Sequence, residues 1–388
     1  MIFSTPETDT QLLAQLAEFD ELRGQLGDQA GLAGRWLGSL RRQWRAASAE
    51  SSIAIEGFHV PRGEAIALTS GAEPVDPTDE DRMALSCYAR AMDHVGVMSE
   101  DPAFRWQERV VLDLHFDACY FQKDKDPGRY RRGGIEVTSP DGGQPAYVGP
   151  AAEDVPMLMN ELIEWLNHGD AEAHLIVRAA MAHLHLVSVH PFRDGNGRIS
   201  RILQSLVLAR GGLLAPEFVS IEEYLGHNTA AYYATLRTVQ GGTYRPERDA
   251  TPWVSLCVAA HIEQARLRIR QLADAGTRWA YLEALVERRG WPDRLVIALE
   301  QSLFQGTDRA AYANEADISA PTASTDLRRL LDAGLIAREG RGRATRYAAS
   351  ESLRHEVLRL RGGVTGSHGR ANVDRATQAG SRPWLVGK

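Results

Sequence analysis

The residues best suited to chemistry form one short run, HPFRDGNGRISR, from His190 to Arg201. Pro191 ends the apolar helix predicted before it. The run Asp194–Gly197 predicts a tight turn, because its two glycines adopt positive φ without strain. A new helix is expected from Arg198 onward, so the free amides of the turn and of the helix N-terminus can bind an anion.

Side chains in and beside this turn suit nucleotide chemistry. Arg198 and Arg201 are three residues apart on one helical face, so both guanidinium groups can bind a phosphate chain. Because Asp194 is next to the predicted polyphosphate site, we expect its carboxylate to bind Mg²⁺. A histidine such as His190, with an ordinary pKa of ~6.5, can accept a proton from an attacking hydroxyl. Together these groups indicate nucleotide transfer; the plainer alternative is a solvated helix–turn–helix corner.

The same run resembles the active-site motif of Fic proteins, HxFx(D/E)GNGRxxR, at every fixed position. This resemblance implies a helical fold and transfer of AMP from ATP to a hydroxyl side chain of a target protein. By position, His190 resembles the general base and Asp194 the Mg²⁺ ligand. The amides of Gly195, Asn196 and Gly197 resemble the anion hole. Arg198 and Arg201 resemble the phosphate-binding arginines.

A second segment resembles the β-hairpin flap that Fic enzymes carry upstream of the motif. Ile135, Val137 and Tyr147 flank the turn cluster 140–143, Pro-Asp-Gly-Gly, which predicts a hairpin. An exposed hairpin edge can pair with an extended target segment and hold its hydroxyl residue near His190. The alternative is a hairpin that only shields a loop.

Downstream, the segment HNTAAYYATL resembles the family's adenine-side helix through Asn228, Tyr232 and Tyr233. Tyr232 and Tyr233 point in different directions on a helix, so at most one of them is expected to contact the nucleotide. Core packing is the alternative for either ring.

Upstream, the run SIAIEG resembles the inhibitory motif (S/T)xxxE(G/N) of autoinhibited Fic proteins through Ser52, Glu56 and Gly57. A carboxylate paired with Arg201 would fill the γ-phosphate position and repel a phosphate there. One alternative is a plain helix that ends at Gly57. Another is a Glu56 that orients a water, which would make the chain a de-AMPylating or phosphotransfer variant.

The C-terminal region resembles a winged helix-turn-helix, with helices predicted over 310–316 and 321–333 and a strand-like pattern over 335–347. Its candidate wing is basic, with one acid, Glu339, against Arg338, Arg341, Arg343 and Arg346. Basic wings suit DNA phosphates. However, the second helix carries Asp326 and Asp332, so a dimerisation or protein-docking module is an equal alternative. A DNA-binding regulator with nucleotide as its ligand is the remaining functional class.

The chain of 388 residues is expected to be mostly α-helical, with a small β-hairpin flap and a C-terminal winged helix. Apolar residues at helical spacing cover eight stretches: 11–49 with an interruption near 24–34, 81–97, 106–120, 155–167, 171–189, 198–208, 228–239 and 252–273. The expected domains are an N-terminal helical region (1–100), a Fic core (101–275), a winged helix (276–361) and a disordered tail (362–388).

The composition limits where the protein is expected to act and which partners it is expected to bind. The net charge of −7 excludes a global basic field, so DNA binding requires a local patch. The three cysteines, Cys87, Cys119 and Cys257, form no CxxC pair, which indicates reduced thiols and a cytoplasmic protein. The N-terminus lacks the pattern of a signal peptide, and no apolar run reaches the ~20 residues of a membrane span. Expected partners are Mg·ATP, a target protein with a Ser, Thr or Tyr hydroxyl, and DNA at the C-terminal module; a homo-oligomer stays an option.

Overall fold

The computed structural model describes residues 1–32, 36–138, 145–213, 220–304, 306–340 and 345–364. It is mostly helical, as the sequence predicts. The turn cluster 140–143, Arg341, Arg343 and the tail beyond Val364 lie outside the described residues. Two compact units are present: Met1–Asp28 with Arg41–Arg268, and Gln29–Leu40 with the described residues from Ile269 onward. In the ranges given above, no helix is both long enough and apolar enough to cross a membrane.

The helices between residues 10 and 287 are α1 (Thr10–Leu32), α2 (Trp36–Ile55), α3 (Arg62–Thr69), α4 (Glu80–Glu100), α5 (Glu108–Cys119), α6 (Val155–His168), α7 (Leu175–Val189), α8 (Asn196–Arg210), α9 (Glu222–His227), α10 (Thr229–Gln240) and α11 (Thr251–Glu287).

Helices α7 and α8 form the centre of the first unit. The sequence of α7, LIVRAAMAHLHLVSV, is apolar on nearly all sides, and a helix of this kind is stable only when it is surrounded by protein. Its residues from Ala179 to Val189 are all buried. Helix α8 packs against it with its apolar stripe, Ile199, Ile202, Leu203 and Leu206, also fully buried. The loop with the HPFRDGNG sequence joins these two helices, so two buried helices hold it at both ends.

The predicted hairpin is confirmed as two short antiparallel strands, β1 (Glu136–Val137) and β2 (Tyr147–Val148). Glu136 pairs with Val148, and Val137 pairs with Tyr147. Val148 also forms a parallel bridge to Thr243. The outer edge of β2 is therefore partly covered, whereas in the described part of the chain β1 has β2 as its one strand partner.

The second unit contains α12 (Leu295–Phe304), α13 (Arg309–Glu315), α14 (Ala320–Asp332), β3 (Ile336–Glu339), β4 (Arg346–Ala349) and α15 (Glu351–Val364). Ser319 caps α14, and proline occupies its first turn, where the missing N–H costs no hydrogen bond. Strands β3 and β4 are antiparallel, and Thr307 adds a one-residue bridge to Tyr347. Helix α15 continues to Val364, so the first residues of the predicted tail are helical.

Two helices are longer than the sequence pattern predicts. Helix α1 passes through Gly24, where we expected an interruption, and continues to Leu32. Leu26 is 1% exposed, and its burial offsets the ~1 kcal/mol that a helical glycine costs relative to alanine. Helix α11 extends beyond the predicted end at Ala273 to Glu287, because Leu282, Leu285 and Val286 renew the buried stripe.

Candidate active site

The loop between α7 and α8 is fixed by its own side chains. Asn196, the first residue of α8, accepts a hydrogen bond from the Phe192 amide (2.9 Å) and donates one to the Phe192 carbonyl (2.8 Å). The Phe192 ring stacks on the buried His115 ring, with 3.6 Å between the ring centroids. The Asn196 side chain therefore holds the loop closed. The backbone N–H of Asn196 is not used in these bonds and stays part of the predicted anion hole.

His190 ends α7 in the left-handed region, with φ 49° and ψ 56°. Its Nδ1 lies 3.0 Å from the Val187 carbonyl oxygen. Because a carbonyl oxygen can only accept, Nδ1 carries the proton and Nε2 keeps its lone pair. Burial lowers the pKa of this imidazole, so it is neutral at neutral pH. A neutral ring with a free Nε2 is the form that a general base requires.

Both glycines of the turn lie directly against neighbouring side chains. Gly195 has φ 76°, and a Cβ there would collide with the Cys119 sulfur. A Cβ on Gly197 would collide with Oε1 of Glu56 and would lie 3.2 Å from an Arg201 nitrogen. The Glu56 carboxylate therefore lies directly against the backbone of the predicted anion hole.

Arg201 and Glu56 form an ion pair. The Arg201 guanidinium donates to Oε1 of Glu56 (2.8 Å), to the Ser52 hydroxyl (2.7 Å) and to the Ser52 carbonyl (2.9 Å). Burial lowers the pKa of Arg201, but the Glu56 carboxylate, together with the Tyr232 and Tyr88 side chains, raises it by more, so the net shift is upward. The structure thus brings together the residues of the SxxxEG motif and the second arginine, with Gly57 at φ 93° just after α2.

Arg198 is fully buried and only partly hydrogen bonded. It donates to the Gln122 side chain (2.7 Å), and its guanidinium carbon lies 5.5 Å from each of the Phe58 and Phe121 ring centroids. In the described part of the chain, its Nε and its second terminal nitrogen have no hydrogen-bond partner. Unpaired buried donors on a charged group are costly, and phosphate oxygens would satisfy them.

Asp194 accepts hydrogen bonds at both carboxylate oxygens, from Gln122 (2.7 Å) and from the Gly195 amide (2.5 Å). Among the described residues, no cluster of three or more His, Cys, Asp or Glu side chains is arranged for a metal. One carboxylate is the usual protein share of a Mg²⁺ that is held jointly with substrate phosphates. Asp194 therefore fits a Mg²⁺ that arrives with a nucleotide, and not an independent metal centre.

A cleft of about 770 Å³, including the part open to solvent, collects most of the predicted site residues. It is lined by Glu56, His190, Asp194, Gly195, Asn196 and Gly197, by Val137 and Tyr147 of the hairpin, and by Tyr232 and Tyr233. The Tyr232 hydroxyl lies 3.2 Å from Nε2 of His183, whereas the Tyr233 hydroxyl donates to the Ile55 carbonyl (3.4 Å). Asn228 lies where α9 meets α10, and its side chain donates to the Tyr224 carbonyl (2.8 Å).

A larger cleft on the other side of the hairpin shares Glu56 and Asp194 with the first. Ile135 lines it, but its side chain is 9% exposed, and the Tyr147 side chain is 3% exposed, with its hydroxyl bonded to the Ser188 carbonyl. These two hairpin residues therefore anchor the strands. The edge that β1 presents is formed by the backbone of Glu136 and Val137.

Several residues that support this site were not identified from the sequence. His115 bonds the Asp194 carbonyl oxygen (3.0 Å), and burial lowers its pKa to about 4. Gln122 connects Asp194 to Arg198. Arg131, 4% exposed, donates to the carbonyl oxygens of His190 and Pro150 and so connects the hairpin to the loop between α7 and α8. These residue types are common and lie far from the motif in sequence, so no local pattern marks them.

In the second unit, one of the two acidic residues of α14 is buried. Asp326 is 1% exposed and pairs with Arg294 (2.7 Å) and the Tyr312 hydroxyl (2.9 Å). Its charge is therefore neutralised inside the unit. Arg338 on β3 and Arg346 on β4 are exposed.

Comparison with known proteins agrees with this geometry. Residues 105–208 match the model of the Fic/DOC family. The chain is therefore similar to the Fic/DOC family over this segment. The matched Fic domain begins just before α5 and includes the hairpin, α7, the loop and nearly all of α8.

Two curated relatives are both called protein adenylyltransferase Fic. The protein from Aedes aegypti is 36% identical over 137 residues, which are 35% of this chain and 25% of that protein. The protein from Nematostella vectensis is 33% identical over 137 residues, 35% of this chain and 29% of that protein. The chain thus spans about a quarter of the length of the curated relatives it matches.

Two solved structures share the fold. A Fic family protein from Desulfovibrio desulfuricans G20 matches with a TM-score of 0.57 and 22% identity, over 89% of this chain and 98% of that one. Fic-1 (residues 134–508) from C. elegans matches with a TM-score of 0.52 and 23% identity, over 69% of this chain and 74% of that one.

Proposed function

We propose that this chain is a Fic-type adenylyltransferase that transfers AMP from ATP to a hydroxyl side chain of a target protein, and that Glu56 holds it in an inhibited state. The observation that carries the proposal is the placement of His190, with a free Nε2, in one cleft with the Gly195–Gly197 amides and Asp194. The names of the curated relatives support the same activity.

In the proposed reaction, Nε2 of His190 takes the proton of the target hydroxyl. The hydroxyl oxygen then forms a bond to the α-phosphorus of ATP, and the bond from that phosphorus to the bridging oxygen breaks, releasing pyrophosphate. The loop amides and Arg198 would stabilise the charge on the phosphates, so the protein acts by positioning and electrostatics. Arg201 would bind the γ-phosphate.

Asp194 would hold Mg²⁺ together with the phosphates, and the ion would neutralise part of their negative charge. The target would enter through the larger cleft, with an extended segment paired along the backbone of β1. Asp194 lines both clefts, so a target hydroxyl that enters from the larger cleft could reach the α-phosphorus of ATP beside Asp194 in the smaller one. The free, buried cysteines at 87, 119 and 257 support a cytoplasmic location.

The direct test uses the full chain with Mg·ATP and no added target. Intact mass spectrometry is expected to show little added AMP on the wild-type protein and clear self-modification when Glu56 is replaced by Gly. Self-modification reports activity without knowledge of the target. Binding of ATP without any transfer by either protein would contradict the proposal and favour a regulator that uses nucleotide as a ligand. In a second incubation, removal of AMP from the self-modified Glu56→Gly protein by added wild type would indicate a de-AMPylating enzyme.

We also propose that the second unit is a winged helix that binds DNA through phosphates. The buried pairing of Asp326 favours this function, because it removes one acidic charge from the exposed face of α14. Basic residues remain exposed on both strands next to it, Arg338 and Arg346.

Replacing Arg338 and Arg346 with Gln in the full chain is expected to weaken duplex binding equally for all sequences. The slope of log K against log salt should fall by about one for each lost phosphate contact. Arg341 and Arg343 are expected to act in the same way. An Arg129→Gln variant, which removes an exposed arginine of the first unit, is the matched control and should keep the wild-type slope. If wild type shows no salt-dependent binding to any duplex, the unit is a protein-docking module.

A further inference from the structure

One face of α2 carries polar side chains at four-residue spacing, and this series begins one turn before the inhibitory motif. Ser48 and Ser52 lie one turn apart on α2, and Glu56 follows after the end of the helix, at the same four-residue spacing. Residues four apart share one face of a helix. Ser52 and Glu56 bind Arg201, whereas Ser48 does not line the cleft that contains His190.

Ser48 is bound by a buried carboxylate on α9. Glu222 is 2% exposed, and its carboxylate accepts hydrogen bonds from the hydroxyls of Tyr88 (3.0 Å), Ser48 (3.1 Å) and Ser205 (3.3 Å). The Ser220 hydroxyl also contacts Glu222 and Ser48. A buried carboxylate must be satisfied by donors, so losing one of them carries a real cost.

A second contact joins the same two helices. Gly226 lies one turn after Glu222 on α9, and a Cβ at this position would lie 3.0 Å from Cβ of Ser51 on α2. This separation is tighter than ordinary van der Waals contact. The backbones of α2 and α9 approach closely here because residue 226 has no side chain.

We propose that Glu222 and Gly226 form a second anchor for α2, beside the contact with Arg201, that keeps Glu56 in its inhibitory position. This inference rests on the proposed autoinhibition and extends it to residues outside the nucleotide site. ATP competes with Glu56 for Arg201 but does not reach Ser48. The anchor therefore holds the helix in register while the carboxylate is displaced, and it favours return of the carboxylate to Arg201. Glu222 acts through the helix and is a positioning residue.

The test compares Ser48→Ala with Ser205→Ala in the full chain. Both variants remove one serine hydroxyl from the same carboxylate, but Ser205 is on α8 and Ser48 is on α2. Ser48→Ala is expected to raise self-modification with Mg·ATP by about 3- to 10-fold, the factor that one net hydrogen bond represents in an equilibrium. Ser205→Ala should stay near the wild-type level. Gly226→Ala, which forces α2 and α9 apart, is expected to raise self-modification as well.

Two further measurements separate this anchor from a general loss of stability. In a Glu56→Gly background, Ser48→Ala should give no additional activation, because the anchor acts through Glu56. Hydrogen exchange over residues 48–57 should become faster in Ser48→Ala and Gly226→Ala but not in Ser205→Ala.

The outcomes distinguish the anchor from the proposed function. If Glu56→Gly is active while Ser48→Ala and Gly226→Ala behave as wild type, the anchor is wrong. Equal activation by Ser205→Ala, or additive activation on top of Glu56→Gly, also overturns it. If Glu56→Gly is inactive but exchange over 48–57 still rises in Ser48→Ala, the proposed function fails and the anchor stands as a contact that holds α2.

Discussion

Replacing His190 with alanine is expected to reduce AMP transfer by ~10²-fold or more, the usual contribution of a general base. ATP affinity should stay within a few-fold of the unsubstituted protein, because the Gly195–Gly197 amides and both arginines remain. The comparison is best made in the Glu56→Gly background, where a loss of this size is measurable. Initial rates of self-modification and calorimetric titration of Mg·ATP give the two quantities.

A second variant is needed because the backbone conformation at His190 is unusual. Its φ of 49° is unfavourable for alanine, so His190→Ala can also strain the loop. Asparagine tolerates the left-handed region, cannot act as a base of comparable strength, and is the matched control. Both variants should lose transfer while His190→Asn keeps the wild-type melting temperature. Transfer at the unsubstituted rate in a folded His190→Asn protein would show that another group takes the proton.

The motif loop was predictable because its chemistry is local. A proline stop, two glycines in a tight turn and two arginines on the next helix are fixed by residue type and spacing over twelve positions. The same holds for α13, α14 and the β3–β4 hairpin, where a capping serine, a first-turn proline and alternating residues mark the boundaries.

The contacts that support the loop were not predictable, because they join distant parts of the chain. Gln122 is as ordinary in sequence as any exposed glutamine, yet it connects Asp194 to Arg198. Asp326 gave the opposite error: an acid on a predicted recognition helix suggested an exposed charge, but Arg294 and Tyr312 enclose it. Burial and pairing depend on which helices meet, and helical periodicity alone does not specify that.

Replacing Glu56 with glycine is expected to raise AMP transfer by roughly 10- to 150-fold, because a charge-assisted hydrogen bond contributes ~1.5–3 kcal/mol. This carboxylate binds Arg201 at 2.8 Å and lies against Gly197, so under the proposed function it would occupy space that the nucleotide phosphates need. Its removal frees one donor of Arg201 for the γ-phosphate. Arg201 should keep its orientation, since the Ser52 hydroxyl and carbonyl still accept from it.

The main alternative explanation for such a gain is a loosened α2, and Glu50→Gly is the matched control for it. Glu50 lies within α2 and pairs with Arg62 on the surface, so glycine there costs helix stability by ~1 kcal/mol without changing the nucleotide cleft. Glu56→Gly and Glu56→Ala should both be active, and Glu50→Gly should gain no more than about 3- to 10-fold, as expected of a less firmly held α2. Under the proposed function, the Glu56 carboxylate would block the phosphates and leave the adenine side open, so ATP affinity is expected to change less than the transfer rate. If Glu56→Gly and Glu56→Ala fold normally and modify themselves no faster than wild type, the Glu56–Arg201 pair is a structural ion pair and not an inhibitory one.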